Sequence, residues 1–198
     1  MPLTVFLIRH APHNDVGRRL SGRRAGLPLS DRGAALARRM GEQLRGRGLQ
    51  AVQASPIERT MATASAIAAP VGLNVEPVEA LIEIDFGEWT GAAFDELDGD
   101  PRWHAWNERR ADGCCPGGER MADAQRRVVG HLFATAAREP SGTVAMVTHC
   151  DIVRAAVTHI LGLSLDAVHR FEVSPASITE IEIGGDHARL VQLNERVQ

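Results

Sequence analysis

Apolar positions along the chain fall into short continuous runs separated by stretches of helical periodicity. Val5–Ile8 and Thr143–Val147 are runs of β-branched and large apolar residues, too short for buried helices and suited to strands covered on both faces. Ala51–Ala54 reads as a further short strand. Val75–Val78 reads as one at a sheet edge, because Pro77 removes a ladder donor. Between these runs the period changes. Leu36, Met40 and Leu44 mark one face of a helix that Ser30 caps and that Gly46 and Gly48 end. Ser55-Pro56 starts a second helix with Pro56 near its first turn; Thr60, Ala64 and Ile67 share a face, and Pro70-Val71-Gly72 closes it. Short helices are expected at Phe94–Leu97 and at Pro101–Arg109, the latter capped by Asp100. The longest helix runs from about Glu119 to Arg138, with Met121, Val128, Leu132 and Ala136 inward, and another spans Ile152 to Leu161. The tail predicts strands near Phe171–Val173, Ser177–Ile183 and Arg189–Leu193, the last two joined by a hairpin at Gly184-Gly185-Asp186. This alternation predicts an α/β fold, a three-layer α/β/α sandwich on a mainly parallel central sheet.

Composition narrows the class. With 198 residues, 44% hydrophobic and 24% charged, the chain reads as one soluble globular domain over residues 1–198, with a compact insertion at about 92–118. A formal charge of -3 gives no global pull toward nucleic acid or membranes. Arginines crowd the first quarter, but no aromatic residues interleave them as a single-strand groove would require. Cys114, Cys115 and Cys150 are odd in number and do not read as a disulfide framework. No signal-peptide pattern and no long apolar span is visible, so the expected location is cytoplasmic.

Candidate chemistry collects where strands end. Arg9-His10 follows the first strand, Arg59 sits in the opening turn of the helix after the second, and His149 ends the Thr143–Val147 run. Glu83 lies in Leu81–Gly91, where acidic and apolar residues alternate around a glycine turn. Crevices beyond the carboxyl ends of parallel strands are where open α/β sheets bind ligands. Arginine brings a permanent planar fork of donors suited to phosphate, and neutral histidine brings a nucleophilic or basic nitrogen. The intervening loop Ala11–Leu29 is long and polar and carries Gly17, Ser21-Gly22 and Gly26, which marks it as functional or mobile. Trp103 and Trp106, three apart, read as packing residues.

Taken together these segments resemble the histidine phosphatase superfamily, also called the phosphoglycerate mutase-like fold. Leu7-Ile8-Arg9-His10 matches its opening motif and Ser55–Thr60 its second-arginine motif. Leu81–Gly91 is similar to its acid segment, Val147-Thr148-His149 to its second-histidine strand end and Ser177-Ile178-Thr179 to its late strand. Pro116-Gly117-Gly118-Glu119 is similar to a segment found before the long helix in the phosphatase branch. The resemblance implies a phosphomonoesterase that needs no metal or cofactor and acts on a small phosphorylated metabolite. His10 would be the nucleophile and form a phosphohistidine. Arg9 and Arg59 would grip the phosphoryl oxygens, a protonated His149 would add a donor, and Glu83 would be the general acid, with Asp85 and Glu88 as rivals. His13, Asn14, Ser21, Gly22 and Cys150 are the candidates for substrate contact, and phosphate or vanadate are the expected simple ligands.

The chain also departs from the family pattern. Ala11 and Cys150 stand where glycine usually follows each histidine, so a methyl or a thiol could narrow the approach to phosphate. Cys150 also raises oxidative inactivation. Pro12, His13 and Val16 replace the usual polar residues of the first loop, with Asn14, or Asp15 after a one-residue shift, standing in for the missing Asn. A phosphoglycerate-type mutase is the alternative enzyme, and the short segment between Gly91 and Glu119 favours hydrolysis over it. A non-catalytic phosphate-binding module on the same fold is the alternative outside catalysis, and a metal-dependent hydrolase on His10, His13 and His149 lacks a carboxylate-rich pattern. The Arg-rich first quarter and the terminal hairpin are the surfaces through which a homodimer could form.

Overall fold

Alternation along the first strand, β1 (Leu3–Arg9), sets the layers. A computed structural model gives the structure of the protein over residues 2–197. Leu3, Val5 and Leu7 point to one face of the sheet, where they join Val144 and Met146 of β4 (Gly142–Thr148). Over that face lie α5 (Met121–Arg138) and α6 (Cys150–Ile160), which contribute Met121, Val128, Leu132, Ile152 and Val153. Phe6 and Ile8 point the other way, with Ala145 and Val147, into a core closed by α1 (Asp31–Leu44) and α2 (Glu58–Ala68). Both faces are therefore apolar, and each fully buried large side chain contributes roughly 1.5–3 kcal/mol. Gly41 lets α1 and α2 close on each other, since a Cβ there would meet the Ala66 carbonyl oxygen at 2.4 Å.

Among the described residues the sheet has six strands, in the order β3 (Val75–Pro77), β2 (Ala51–Ala54), β4, β1, β5 (Ser177–Gly184) and β6 (His187–Arg196). β2 pairs in parallel with β3 and with β4, and β4 pairs in parallel with β1. β5 and β6 complete the sheet as an antiparallel hairpin on the other side of β1. This is the three-layer α/β fold that the sequence predicts, with β3 at the edge. Register matters most for function. Arg9 pairs with Thr148, and Ala54 pairs with Val147, so β1, β4 and β2 stop at one level.

Between β3 and α5 the chain makes short turns of helix, among them α3 (Phe94–Leu97) and α4 (Pro101–Glu108). Asp100 caps α4 as expected, its side chain accepting from the backbone nitrogen of Arg102. Trp89, Trp103 and Trp106 pack together there, with ring centroids 5.3 to 5.8 Å apart.

Two expectations need correction. Phe171–Val173 is irregular, not a strand. The Val173 carbonyl accepts from Arg9 Nη1 at 2.6 Å and from Cys150 Sγ at 3.7 Å, so it serves side chains instead of a ladder. The α6 helix begins at Cys150 rather than Ile152, because extended His149 caps it directly and its carbonyl accepts from Val153. Pro56 lies directly ahead of α2, near its first turn as expected, with Ile57 in the capping position. Among the described residues no helix is long and apolar enough to cross a membrane.

Candidate active site

Level strand ends bring residues distant in sequence together. His10 follows β1, His149 follows β4 and Ser55 follows β2, and two of the backbone nitrogens extend the ladder: His10 N donates to Thr148 O at 2.9 Å and Ser55 N to Val147 O at 3.0 Å. The rings of His10 and His149 sit edge to face at 5.3 Å, and His13 stacks on His10 at 5.5 Å. Arg59, in the first turn of α2, reaches across the group and is 1% exposed. Its Nε donates to His10 Nε2 at 3.2 Å, and its Nη2 donates to His149 Nδ1 at 3.2 Å and to the Gly22 carbonyl.

These contacts fix all three tautomers. His10 Nδ1–H donates to the Ala11 carbonyl at 2.8 Å, which leaves the Nε2 lone pair facing the cavity side of Arg59. His149 accepts at Nδ1 from Arg59, so its Nε2–H donates to Ser55 Oγ at 2.8 Å. His13 accepts at Nδ1 from the Asp15 nitrogen at 3.2 Å and directs Nε2–H to Ser21 Oγ at 3.4 Å. Burial first and the Arg59 charge second hold His10 and His149 well below the usual histidine range. The same two causes push His13 down to about 4. Burial and the neighbouring Arg59 thus favour the neutral form of His149, which meets that arginine as an acceptor at Nδ1.

The cavity beyond these histidines has a volume of about 230 Å³. Arg9 lines it, its Nη1 held by Val173 and its Nε buried without a hydrogen-bond partner among the described residues. Glu83 enters from the segment after β3 and is buried, with Oε1 accepting from the Ile84 nitrogen at 3.0 Å. Burial, reinforced by the nearby charge of Asp151, pushes its carboxyl up to about 7, against the pull of Arg59 and Arg127. Of the three acidic residues considered for proton transfer, only Glu83 lines the cavity. Asp85 accepts from the Gly87 nitrogen at 3.0 Å, and exposed Glu88 pairs with Arg102 at 3.2 Å.

Among the substrate-contact candidates, His13, Ser21, Gly22 and Cys150 line the cavity. Asn14 does not. It is exposed and lies outside the cavity lining, which removes the residue that sequence placed there as a stand-in for the usual Asn. Ala11 is fully buried in the core beneath α1 and α2, so its methyl fills space away from the cavity. Burial raises the Cys150 thiol, which favours the unreactive protonated form and argues against ready oxidation.

The outer wall holds residues that sequence reasoning did not select. Asp151 is 7% exposed and pairs with Arg110 at 3.1 Å and with Arg154 at 3.3 Å. Burial works to raise its carboxyl, but the two guanidiniums outweigh that and hold it below the usual range. Arg110 in turn lies over the Trp106 ring, 3.5 Å from its centroid. Trp103, read from spacing as a packing residue, is largely buried and also lines the cavity. The Asp151–Arg154 spacing on a helix was visible in sequence, whereas the approach of Arg110 depends on where the segment after α4 packs.

Known proteins give the arrangement a context. The family model for the histidine phosphatase superfamily (branch 1) matches residues 5–196. Phosphoserine phosphatase 1 of Hydrogenobacter thermophilus is 32% identical over 197 residues, spanning 96% of this chain and 91% of its own. A probable phosphoglycerate mutase GpmB of Salmonella paratyphi B is 30% identical over 185 residues, spanning 91% of this chain and 85% of its own. Among solved structures, a phosphoserine phosphatase from Entamoeba histolytica in complex with 3-phosphoglyceric acid matches with a TM-score of 0.84 at 25% identity, over 98% of this chain and 97% of that one.

Proposed function

The chain belongs to the histidine phosphatase superfamily, and we propose that it is a phosphomonoester hydrolase working through a phosphohistidine on His10. One observation carries this reading: a single cavity joins a histidine whose proton is fixed on Nδ1, so that Nε2 carries the lone pair and accepts from Arg59, and a buried carboxyl pushed up to about 7. A phosphoryl group entering beside Arg59 would take the arginine donors on its equatorial oxygens and the His10 lone pair at phosphorus. Arg9 would supply its unpartnered Nε there. Catalysis of this kind is mainly positioning and stabilisation of the spread negative charge.

In the first step the Nε2–P bond forms and the P–O bond to the leaving alcohol breaks, while Glu83 gives its proton to that oxygen. In the second, Glu83 takes a proton from water, whose oxygen attacks phosphorus; the P–N bond breaks and phosphate leaves. His10 keeps its Nδ1–H on the Ala11 carbonyl throughout. The substrate class is a small phosphorylated metabolite, in keeping with the phosphoserine and 3-phosphoglyceric acid named for relatives. A phosphoglycerate-type mutase is the second reading, favoured by the name of the Salmonella relative. It would return the phosphoryl group to another oxygen rather than to water.

The test compares wild type with His10→Ala on p-nitrophenyl phosphate and phosphoserine, each with and without a chelator. Phosphate release by the wild type, an acid-labile phosphoenzyme, and loss of both in the variant are expected. Turnover retained by His10→Ala, or abolished by the chelator in wild type, overturns the reading. Isomerisation of 3-phosphoglycerate without phosphate release moves the assignment to the mutase.

A further inference from the structure

Glu83 is held by a device behind the cavity, centred on a carboxylate that does not line it. The Glu83 backbone carbonyl accepts from two arginines of different origin: Arg23 Nε at 2.8 Å, from the loop between β1 and α1, and Arg127 Nη2 at 3.3 Å, from α5. Neither arginine is free to choose another orientation, because Glu119 holds both. Its Oε2 accepts from Arg23 Nη2 at 3.0 Å and from Arg127 Nη2 at 3.2 Å, and its Oε1 accepts from Arg127 Nε at 3.0 Å. The same Oε2 accepts from the Asp85 nitrogen at 3.3 Å, and the Glu119 nitrogen donates to the Asp85 carbonyl at 2.8 Å. Arg127 Nη1 adds a bond to the Ala80 carbonyl at 2.8 Å.

The residues flanking Glu83 are therefore tied from both sides to one side chain. That side chain is only 17% exposed, so these charge-assisted bonds are shielded from competing water. Two further facts give the hub a functional direction. Arg23 follows directly on Gly22, whose carbonyl accepts from Arg59, so the loop that Glu119 grips also seats the arginine nearest His10. The two arginines carry positive charge toward Glu83, and the Glu119 carboxylate compensates it. Nothing in the fold alone requires two arginines held by one carboxylate to converge on the carbonyl of the carboxyl residue that must exchange a proton.

We infer that Glu119 is the positioning residue for proton transfer: through Arg23 and Arg127 it fixes the Glu83 carboxyl against the leaving oxygen and ties that position to the phosphate-facing loop. This inference rests on the proposed hydrolase reading with Glu83 as the acid. It predicts a defect specific to the leaving group. A phenol such as p-nitrophenol departs with little help from an acid, whereas an alkyl alcohol needs the proton.

The experiment measures kcat/KM, which reports the steps up to P–O cleavage, for p-nitrophenyl phosphate and for an alkyl phosphate such as glycerol phosphate. Wild type, Glu119→Gln, Arg23→Gln and Glu83→Gln are compared. Glu119→Gln is expected to lose about ten- to hundredfold on the alkyl ester and no more than about threefold on the aryl ester, in the same sense as Glu83→Gln. Arg23, whose side chain is 34% exposed, provides a variant that keeps the Glu119–Arg127 pair, and it is expected to show the same selectivity in smaller degree. Vanadate binding checks that each variant retains the phosphate pocket. Equal losses on both esters in a variant that still binds vanadate, or no loss, overturn the role of Glu119. If Glu119→Gln fails to fold, an Arg23→Gln enzyme with no leaving-group preference overturns it instead. Absence of selectivity in Glu83→Gln itself refutes the underlying acid assignment, and the inference falls with it.

Discussion

Replacing Glu83 by glutamine should make the protein more stable at neutral pH while impairing its activity. Glu83 is buried, and its carboxyl moves from an ordinary value of 4.5 to about 7 on folding. Below pH 4.5 both the folded and the unfolded chain hold the proton, and the fold carries no penalty. Between pH 4.5 and 7 the unfolded chain releases its proton while the folded chain keeps it. The folded state then binds more protons, so stability falls as pH rises. Above pH 7 the loss is complete. At about 1.4 kcal/mol for each pH unit, ionised Glu83 costs the fold about 3 kcal/mol. Glutamine has nearly the same shape, can accept from the Ile84 nitrogen through its own oxygen, and never ionises. The buried histidines contribute acid sensitivity of the opposite sense, and that contribution is common to both proteins. Urea denaturation at pH 5 and pH 8 isolates the difference. The stability of Glu83→Gln relative to wild type should rise by about 2–3 kcal/mol between the two pH values, or about 5–10 °C in Tm for a chain of this size. A relative stability that does not change with pH would refute the claim that Glu83 is held protonated by burial.

Further expectations bear on individual contacts. Arg59→Lys keeps the charge but gives up the fork that reaches His10, His149 and Gly22 at once, and kcat/KM for any phosphomonoester should fall by at least about a hundredfold in a folded protein; steady-state kinetics with a circular dichroism control would check it. In Gly118→Ala the new Cβ would lie 2.2 Å from the Asp85 carbonyl oxygen and 2.8 Å from the Gly87 nitrogen. The segment carrying Glu83 must shift, with a loss of about 2 kcal/mol or more by urea denaturation and weaker alkyl phosphate turnover. Ala11→Gly should lower stability by about 1 kcal/mol while leaving KM within about twofold, because the Ala11 methyl packs in the core and not against phosphate. A markedly lower KM in that variant would contradict this placement.

The legible parts of the fold were those in which one local rule operates without interference. Val5–Ile8 and Thr143–Val147 are apolar on both faces because helices cover both sides of the sheet, and such runs have few other uses. Ser30 caps α1 through its own hydroxyl, a contact only three residues long, and sequence spacing suffices to see it. Phe171–Val173 misled because its apolar residues suit a strand while its carbonyl is taken by Arg9 and Cys150, which come from elsewhere in the chain. The candidate site divides in the same way. Residues at strand ends were visible because the ends are visible. Arg110 and Asp151 were not, since their pairing joins the segment after α4 to the first turn of α6. Asn14 misled for the converse reason. Sequence placed it in the right loop, but it is exposed there and outside the cavity lining, while its neighbour His13, anchored to Ser21 and Asp15, lines the cavity.

The charge arrangement explains why a site crowded with ionisable groups has so few protons to move. Burial first, then the fixed positive charge of Arg59 with a smaller part from Arg9, opposes protonation of His10, His13 and His149. All three rings are accordingly neutral, with each ring proton engaged by an acceptor. At the outer wall the situation reverses. Arg110 and Arg154 keep Asp151 ionised in spite of its burial, and that negative charge in turn favours the protonated form of Glu83. Near neutral pH the Glu83 carboxyl is thus poised between its two protonation states, and its backbone is the one clamped by Arg23 and Arg127. Removing the Asp151 charge should therefore act on proton transfer rather than on phosphate binding. Asp151→Asn is expected to move the alkaline limb of kcat/KM for an alkyl phosphate to lower pH, with the aryl ester less affected. An unmoved limb would mean that burial alone holds the Glu83 proton.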